Sequence, residues 1–215
     1  MDTNTPSTRR RDGDQRRREL CDAAIQVLAE HGSRGLSHGQ VDRYADVPEG
    51  TTSYYFRTRA ALLRGVGKRV AEIDLANLRS IVEHHVDPRV PFAHLAELTL
   101  MQADGPGLAL NRARHELLLH TARDPELAEA SAKVVNKTIA LVQEAIAHLQ
   151  PETTDTELLD AQTDAVATFI TGVFTRLAGG DRTFTDPDRL ACQLEAIVAA
   201  ISNTMPGSGK ASGPD

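Results

Sequence analysis

Tryptophan is absent from these 215 residues and aromatic side chains make up only 4% of them, so any role for a ring falls to three tyrosines and five phenylalanines. Cysteine is scarce too. Cys21 and Cys192 stand far apart in the chain, which is no disulfide framework; both read as small buried hydrophobes in a reducing compartment. No apolar run approaches the roughly 18 residues of a membrane span, and the opening of the chain holds no apolar signal segment. The expectation is a soluble, cytoplasmic protein with no membrane partner. Metal-ligand spacing is also missing. His84 and His85 are adjacent and diverge around a helix, His115 and His120 do not share a helical face, and neither HExxH nor a Cys/His cluster occurs. Without paired carboxylates, a nucleophile elbow or a phosphate-cradling glycine loop, the chain is expected to be no enzyme and to need no metal or cofactor.

Net charge is −6, which argues against a nucleic-acid binder until its distribution is read. Residues 1–70 carry 13 Lys and Arg against 9 Asp and Glu; residues 71–215 carry 11 against 21. An acidic body would be repelled by DNA, so contact with DNA is expected only in the N-terminal third.

Between a polar segment at residues 1–14 and a Pro/Gly/Ser end at 206–215, apolar residues recur at intervals of three and four and strand-like alternation is absent. The fold class is therefore all-α. Punctuation predicts about nine helices: one from about Asp14 to His31, stopped by Gly32; a short one capped by Ser37; the turn Asp46-Val47-Pro48, with Pro48 suited to the first turn of the next helix; a second short helix ending near Phe56; and a long one capped by Thr58 and reaching about His85. Further helices are expected from 87–91 to Met101, from Leu108 to Ala122 after a break at Asp104-Gly105-Pro106-Gly107, from Asp124-Pro125 to about Leu149, and over Thr156–Leu177 and Pro187–Ser202. Two short helices joined by a three-residue turn make a helix-turn-helix. The domains read as a disordered basic arm at 1–14, a helix-turn-helix DNA-binding domain at 15–60, a helical ligand-binding and dimerisation domain at 61–205, and a disordered tail at 206–215.

The richest stretch is Gly50-Thr51-Thr52-Ser53-Tyr54-Tyr55-Phe56-Arg57, which gathers hydroxyls, two phenols and a cation within two helical turns. With Tyr44 it holds every tyrosine of the chain. A phenol can donate to a phosphate oxygen while its ring lies on sugar carbons, and Thr or Ser hydroxyls reach phosphates or base edges. As a helix-turn-helix, Thr51, Thr52 and Ser53 would face base edges, while Ser37, His38, Gly50, Tyr54, Tyr55, Thr58 and Arg59 would lie along the backbone. Glu49 either accepts from a cytosine amino group or complements its helix N-terminus. Arg9-Arg10-Arg11 and Arg16-Arg17-Arg18 form a basic arm that is either a solvated tail or a groove and phosphate contact, with Arg16 and Arg17 nearest the domain.

From Leu28 to Leu63 the chain resembles the TetR family of bacterial transcriptional regulators. The likeness rests on Gly32, Leu36-Ser37, Val41, Ala45, Val47, Gly50-Thr51, Tyr54, Phe56, Thr58, Arg59 and Leu62-Leu63. Six positions depart from the family pattern: Asp42 where a small residue is usual, Asp46 for glycine, Pro48 for a capping serine, Thr52 for an apolar residue, Ser53 for tyrosine and Arg59 for lysine. The resemblance implies a ligand-responsive repressor that binds a palindromic double-stranded DNA operator as a homodimer. The dimer would form through the last two helices, whose wide apolar faces exceed what one subunit readily covers. It also implies a pocket for an unknown small-molecule effector, with Phe92, Leu98, Met101, Arg114, His115, Leu118, Phe169 and Phe174 as candidate lining. Two alternatives remain: a helical RNA-cleaving protein using Arg114 and His120, and a helical small-molecule binder without a DNA-regulatory role.

Overall fold

A computed structural model describes residues 6–83 and 92–204 of the chain. Among these residues the helices are α1 (Pro6–Gly35), α2 (His38–Tyr44), α3 (Thr51–Tyr55), α4 (Arg59–Glu83), α5 (Ala93–Leu100), α6 (Gly105–Thr121), α7 (Pro125–Leu149), α8 (Thr156–Ala178) and α9 (Pro187–Thr204). No strand interrupts them. No helix of the described residues is long and apolar enough to cross a membrane.

The chain divides into two compact units, Met1–Asp74 with Asp104–Lys133 and Leu75–Ala103 with Val134–Asp215. Compactness thus groups α6 with the N-terminal helices, whereas the functional boundary expected from sequence lies near residue 60. In the first unit Leu20, Ala24, Val27 and Leu28 of α1 share one stripe and pack with Leu36, Val41, Phe56, Leu62 and Val66, and with Leu110, Ala113 and Leu117 of α6. Burying each large aliphatic side chain contributes roughly 1.5–3 kcal/mol, so this small core is held mainly by its leucines and valines. In the second unit Phe92, Leu95 and Ala96 of the α5 segment join Val142, Ile146, Val166, Ile170, Val173, Leu177, Leu190, Leu194 and Val198.

Local chemistry sets the helix ends. Ser37 caps α2 by accepting from the Gln40 amide at 3.2 Å, and Thr58 caps α4 by accepting from the Ala61 amide at 3.1 Å. Gly32 takes a positive φ of 64° that breaks helical geometry near the end of α1. A Cβ there would meet the Glu116 carboxylate of α6 at 3.3 Å, and that carboxylate accepts from the Ser33 amide at 2.6 Å. A side chain from α6 therefore finishes α1.

Several expectations change. Residues 6–14, expected as a disordered arm, belong to α1: Pro6 suits a first helical position and the Arg and Gln residues that follow are good helix formers. Gly105-Pro106-Gly107 opens α6 rather than separating two helices, because a proline in the first turn gives up an amide that has no intrahelical partner. Pro48 precedes α3 and belongs to the turn, its carbonyl accepting from the Thr51 amide at 3.1 Å. Cys192 is exposed, unlike Cys21, whose thiol is pushed up to about 12 by burial first and by Asp22 next. On α8 and α9 Val166, Ile170, Val173, Leu177, Leu190, Leu194 and Val198 are buried inside their own unit, while Leu159, Phe169, Phe174 and Ile197 are half-buried against that core. The exposed positions include Thr168, Thr171, Gly172 and Thr175 with Asp160, Asp164 and Arg176 on α8, and Cys192, Ala196, Ala199 and Ala200 with Asp188 and Arg189 on α9. His84-His85, the 87–91 helix start, Met1–Thr5 and the 206–215 tail lie outside the described residues.

Candidate nucleic-acid interface

Helices α2 and α3 meet across a turn whose backbone needs two left-handed residues. Asp46 takes φ 50°, which Asp tolerates better than most, and Gly50 takes φ 89° at the N-cap of α3. A glycine cap brings no side chain to the helix start. Asp42 of α2 supplies one instead: its Oδ2 accepts from the Gly50 amide at 2.9 Å, while Oδ1 accepts from the Thr52 amide at 2.7 Å and the Thr52 hydroxyl at 2.5 Å. Asp42 is 2% exposed and Thr52 0%. Burial works to raise the Asp42 carboxyl, but the Thr52 and Gly50 hydrogen bonds and the nearby charge of His38 outweigh it and hold the group below its ordinary value of 3.8. The other end of α3 is tied by His38, whose ring Nε2 lies 2.7 Å from the Phe56 carbonyl oxygen. A carbonyl can only accept, so this nitrogen carries the proton.

What α3 presents follows from that anchoring. Thr52 is withdrawn from the expected base-reading set, because its side chain faces the core and its hydroxyl is committed to Asp42. Ser53 is exposed and Tyr54 stands 72% exposed. Thr51 is half-buried, its hydroxyl donating to the Pro48 carbonyl at 2.6 Å. Tyr55 half-buries its ring on the first unit's core, edge-on to Tyr54 at 5.1 Å, with the Arg17 guanidinium 5.4 Å above it.

Of the residues expected along the backbone, Ser37 and Thr58 act as helix caps at exposed positions. Arg59 is exposed, and its guanidinium donates to the carbonyls of Leu36 at 3.4 Å and of Ser33 at the junction after α1. Arg16 pairs with Glu19 at 2.7 Å, Arg17 with Asp14 at 4.0 Å and Arg18 with Glu72 at 3.8 Å. Such exposed pairs contribute about 0–1 kcal/mol and yield readily to phosphate. Arg57, the cation of the 50–57 stretch, is exposed, and so are Arg34 and Arg43, which the charge pattern alone did not single out. Their signal was available as charge, but exposure depended on the fold. Tyr44, noted only as a neighbour, donates to Glu30 Oε2 at 2.7 Å and lies 2.7 Å from His31 Nε2, joining α2 to α1.

The candidate effector lining divides between the two units. Phe92 is fully buried in the second unit's core, and Leu98 is buried on α5. Phe169 and Phe174 are half-buried there, Phe169 edge-on to Phe184 at 6.2 Å. Met101 is exposed. Arg114, His115 and Leu118 belong to α6 in the other unit. Arg114 is drawn to Asp74 at 2.7 Å and to Asn111, His115 Nδ1 to the Asn111 carbonyl at 2.9 Å, and Leu118 is exposed. Arg114, the cation of the RNA-cleaving alternative, is thus held in an ion pair with Asp74.

No family model and no curated protein matches the sequence. Solved structures do. The chain is similar to the multidrug binding protein EbrR complexed with ethidium, at 26% identity and a TM-score of 0.59 over 85% of this chain and 98% of that one. A member of the TetR family from Streptomyces coelicolor A3 is similar at 25% identity and a TM-score of 0.59, again over 85% and 98%. A transcriptional regulator from Rhodococcus sp. shares the fold at 19% identity and a TM-score of 0.66, over 87% and 96%.

Proposed function

The chain has the all-α fold of the TetR-family transcriptional regulators, and from that premise we propose that it is a ligand-responsive repressor binding a palindromic operator as a homodimer. The observation that carries this reading is the solvent-facing side of α3, where Ser53 and Tyr54 stand exposed on a helix held at both ends by α2. Ser53, with the half-buried Thr51, is the candidate for base edges. Tyr54, Tyr55, Ser37, His38, Thr58 and the Gly50 backbone position the module on phosphates, with Arg16 and Arg17 adding charge. The DNA-binding domain spans residues 15–60 and the remainder to 205 binds effector and partner. Two copies joined through α8 and α9 would set their α3 helices about 34–36 Å apart, one turn of DNA. An effector changes operator affinity only by binding one spacing of the heads better than the other. The likeness to EbrR makes ethidium the first effector probe, titrated against the protein without DNA and followed by its fluorescence.

The test is enrichment of duplexes from a randomised pool, followed by gel shift against a scrambled competitor. The wild-type chain is expected to enrich an inverted repeat. Tyr54→Ala combined with Tyr55→Phe should weaken binding to it at least about tenfold, since phosphate and sugar contacts are lost while the buried Tyr55 ring stays. His120→Ala should leave binding unchanged. Failure to enrich any duplex, with RNA cleavage that depends on His120, would establish the enzyme instead.

A further inference from the structure

Helix α3 satisfies its own first turn only in part: the Pro48 carbonyl accepts from the Thr51 amide at 3.1 Å, and the Gly50 and Thr52 amides are left without a local acceptor. Its N-cap is Gly50, which has no side chain, and the turn before it holds Pro48, which has neither hydroxyl nor amide hydrogen. The unpaired amides at a helix start need acceptors. Here the acceptor comes from another helix: one carboxylate on α2 takes the Gly50 amide, the Thr52 amide and the Thr52 hydroxyl. Both partners are almost wholly removed from solvent. A buried carboxylate is costly to keep charged unless its lone pairs are filled, so the arrangement specifies one rotation of α3 about its axis. In that rotation Thr52 points inward and Ser53 and Tyr54 point outward. Rotation by one residue would turn a different set to solvent and leave the Asp42 charge without its donors.

We propose that Asp42 is a positioning residue for DNA recognition: through Thr52 and Gly50 it sets which residues α3 presents, without touching DNA itself. This inference rests on the proposed DNA-binding reading and adds to it the residue that sets specificity from behind the helix. Because the duplex contacts are made by other side chains, losing Asp42 removes discrimination between sequences and leaves the number of phosphates neutralised unchanged.

The experiment uses the full-length chain, the duplex enriched by the wild type, a scrambled duplex of equal length, and amide hydrogen exchange without DNA. Asp42→Ala is expected to weaken binding to the enriched duplex about tenfold or more, while affinity for the scrambled duplex and the salt slope on it stay at wild-type values. Asp42→Ala combined with Thr52→Val removes the orphaned buried hydroxyl and should recover thermal stability, yet specific binding should stay low because the Gly50 and Thr52 amides remain uncapped. If specific binding returns with stability, the role is structural only and the proposal is overturned. Should Asp42→Ala fail to fold, Asp42→Asn decides the matter: its carbonyl oxygen can keep the Thr52 amide while its amino group repels the Gly50 amide. Exchange should then accelerate at Gly50 and stay slow at Thr52, with specific binding reduced; unchanged exchange and binding would overturn the proposal. A wild-type chain that enriches no duplex sinks the DNA-binding reading and this inference with it. Enrichment by the wild type and equal binding by the Asp42 variants sinks the inference alone.

Discussion

Asp42 loses nearly all its water on folding, and its charge is kept by donors from Gly50 and Thr52 that stand where water stood. The sign of its effect on stability follows. Its carboxyl lies lower in the folded chain than the ordinary 3.8, so the ionised form favours folding above that value and the contribution fades as pH falls through the folded value. Urea unfolding of wild type and Asp42→Asn between pH 3 and 7 should therefore show a stability difference that is constant at the neutral end and narrows on acidification. A difference that widened toward pH 3 would contradict the hydrogen-bond assignment. Thr52 reads from sequence as one more hydroxyl in a hydroxyl-rich helix, and nothing in its identity shows which way it faces. The direction is set by a carboxylate ten residues earlier whose purpose is visible only once α2 and α3 are packed.

Helix α1 changes the meaning of the two arginine triplets. Residues 9–11 and 16–18 lie about 10 Å apart along the backbone of a helix that starts at Pro6. A basic segment whose backbone is already helical loses less order on meeting phosphates than a free tail that must be ordered at the moment of binding. Each phosphate neutralised adds about −0.9 to the slope of log affinity against log salt concentration. Deleting residues 1–12 should flatten that slope by several units on the enriched duplex; an unaltered slope would show that this segment stays clear of DNA. Helices α2, α3 and α4 were legible from caps and glycines because those signals act within a few residues. The start of α1 was not, since charged residues that favour a helix also favour solvation, and only propagation from the packed stripe at Leu20 to Leu28 tips the balance.

At the scale of the molecule, α8 and α9 bury Val166, Ile170, Val173, Leu177, Leu190, Leu194 and Val198 in the second unit's core and leave Thr168, Thr171, Gly172, Ala196, Ala199 and Ala200 exposed. Small residues let two helix pairs approach closely about a two-fold axis, where each residue meets its own symmetry mate or a near neighbour. Placing an arginine there would set like charges against each other in a desolvated contact. Thr168→Arg is accordingly expected to shift the sedimentation profile from dimer to monomer while the helical signal in circular dichroism persists. Wild-type protein that sediments as a monomer at micromolar concentration would remove the dimer from the proposed function.

Periodicity, capping residues and the partition of charge are properties of neighbours in the chain, and they determined the all-α class, most helix boundaries and the hydroxyl-bearing segment at 50–57 as the place to look. Contacts between distant residues decided the rest. Asp42 turns Thr52 inward, Arg59 donates to the carbonyls of Leu36 and Ser33, and the candidate effector residues divide between α6 and the second unit. Those outcomes depend on which groups lose water together, and that is a property of packing in three dimensions.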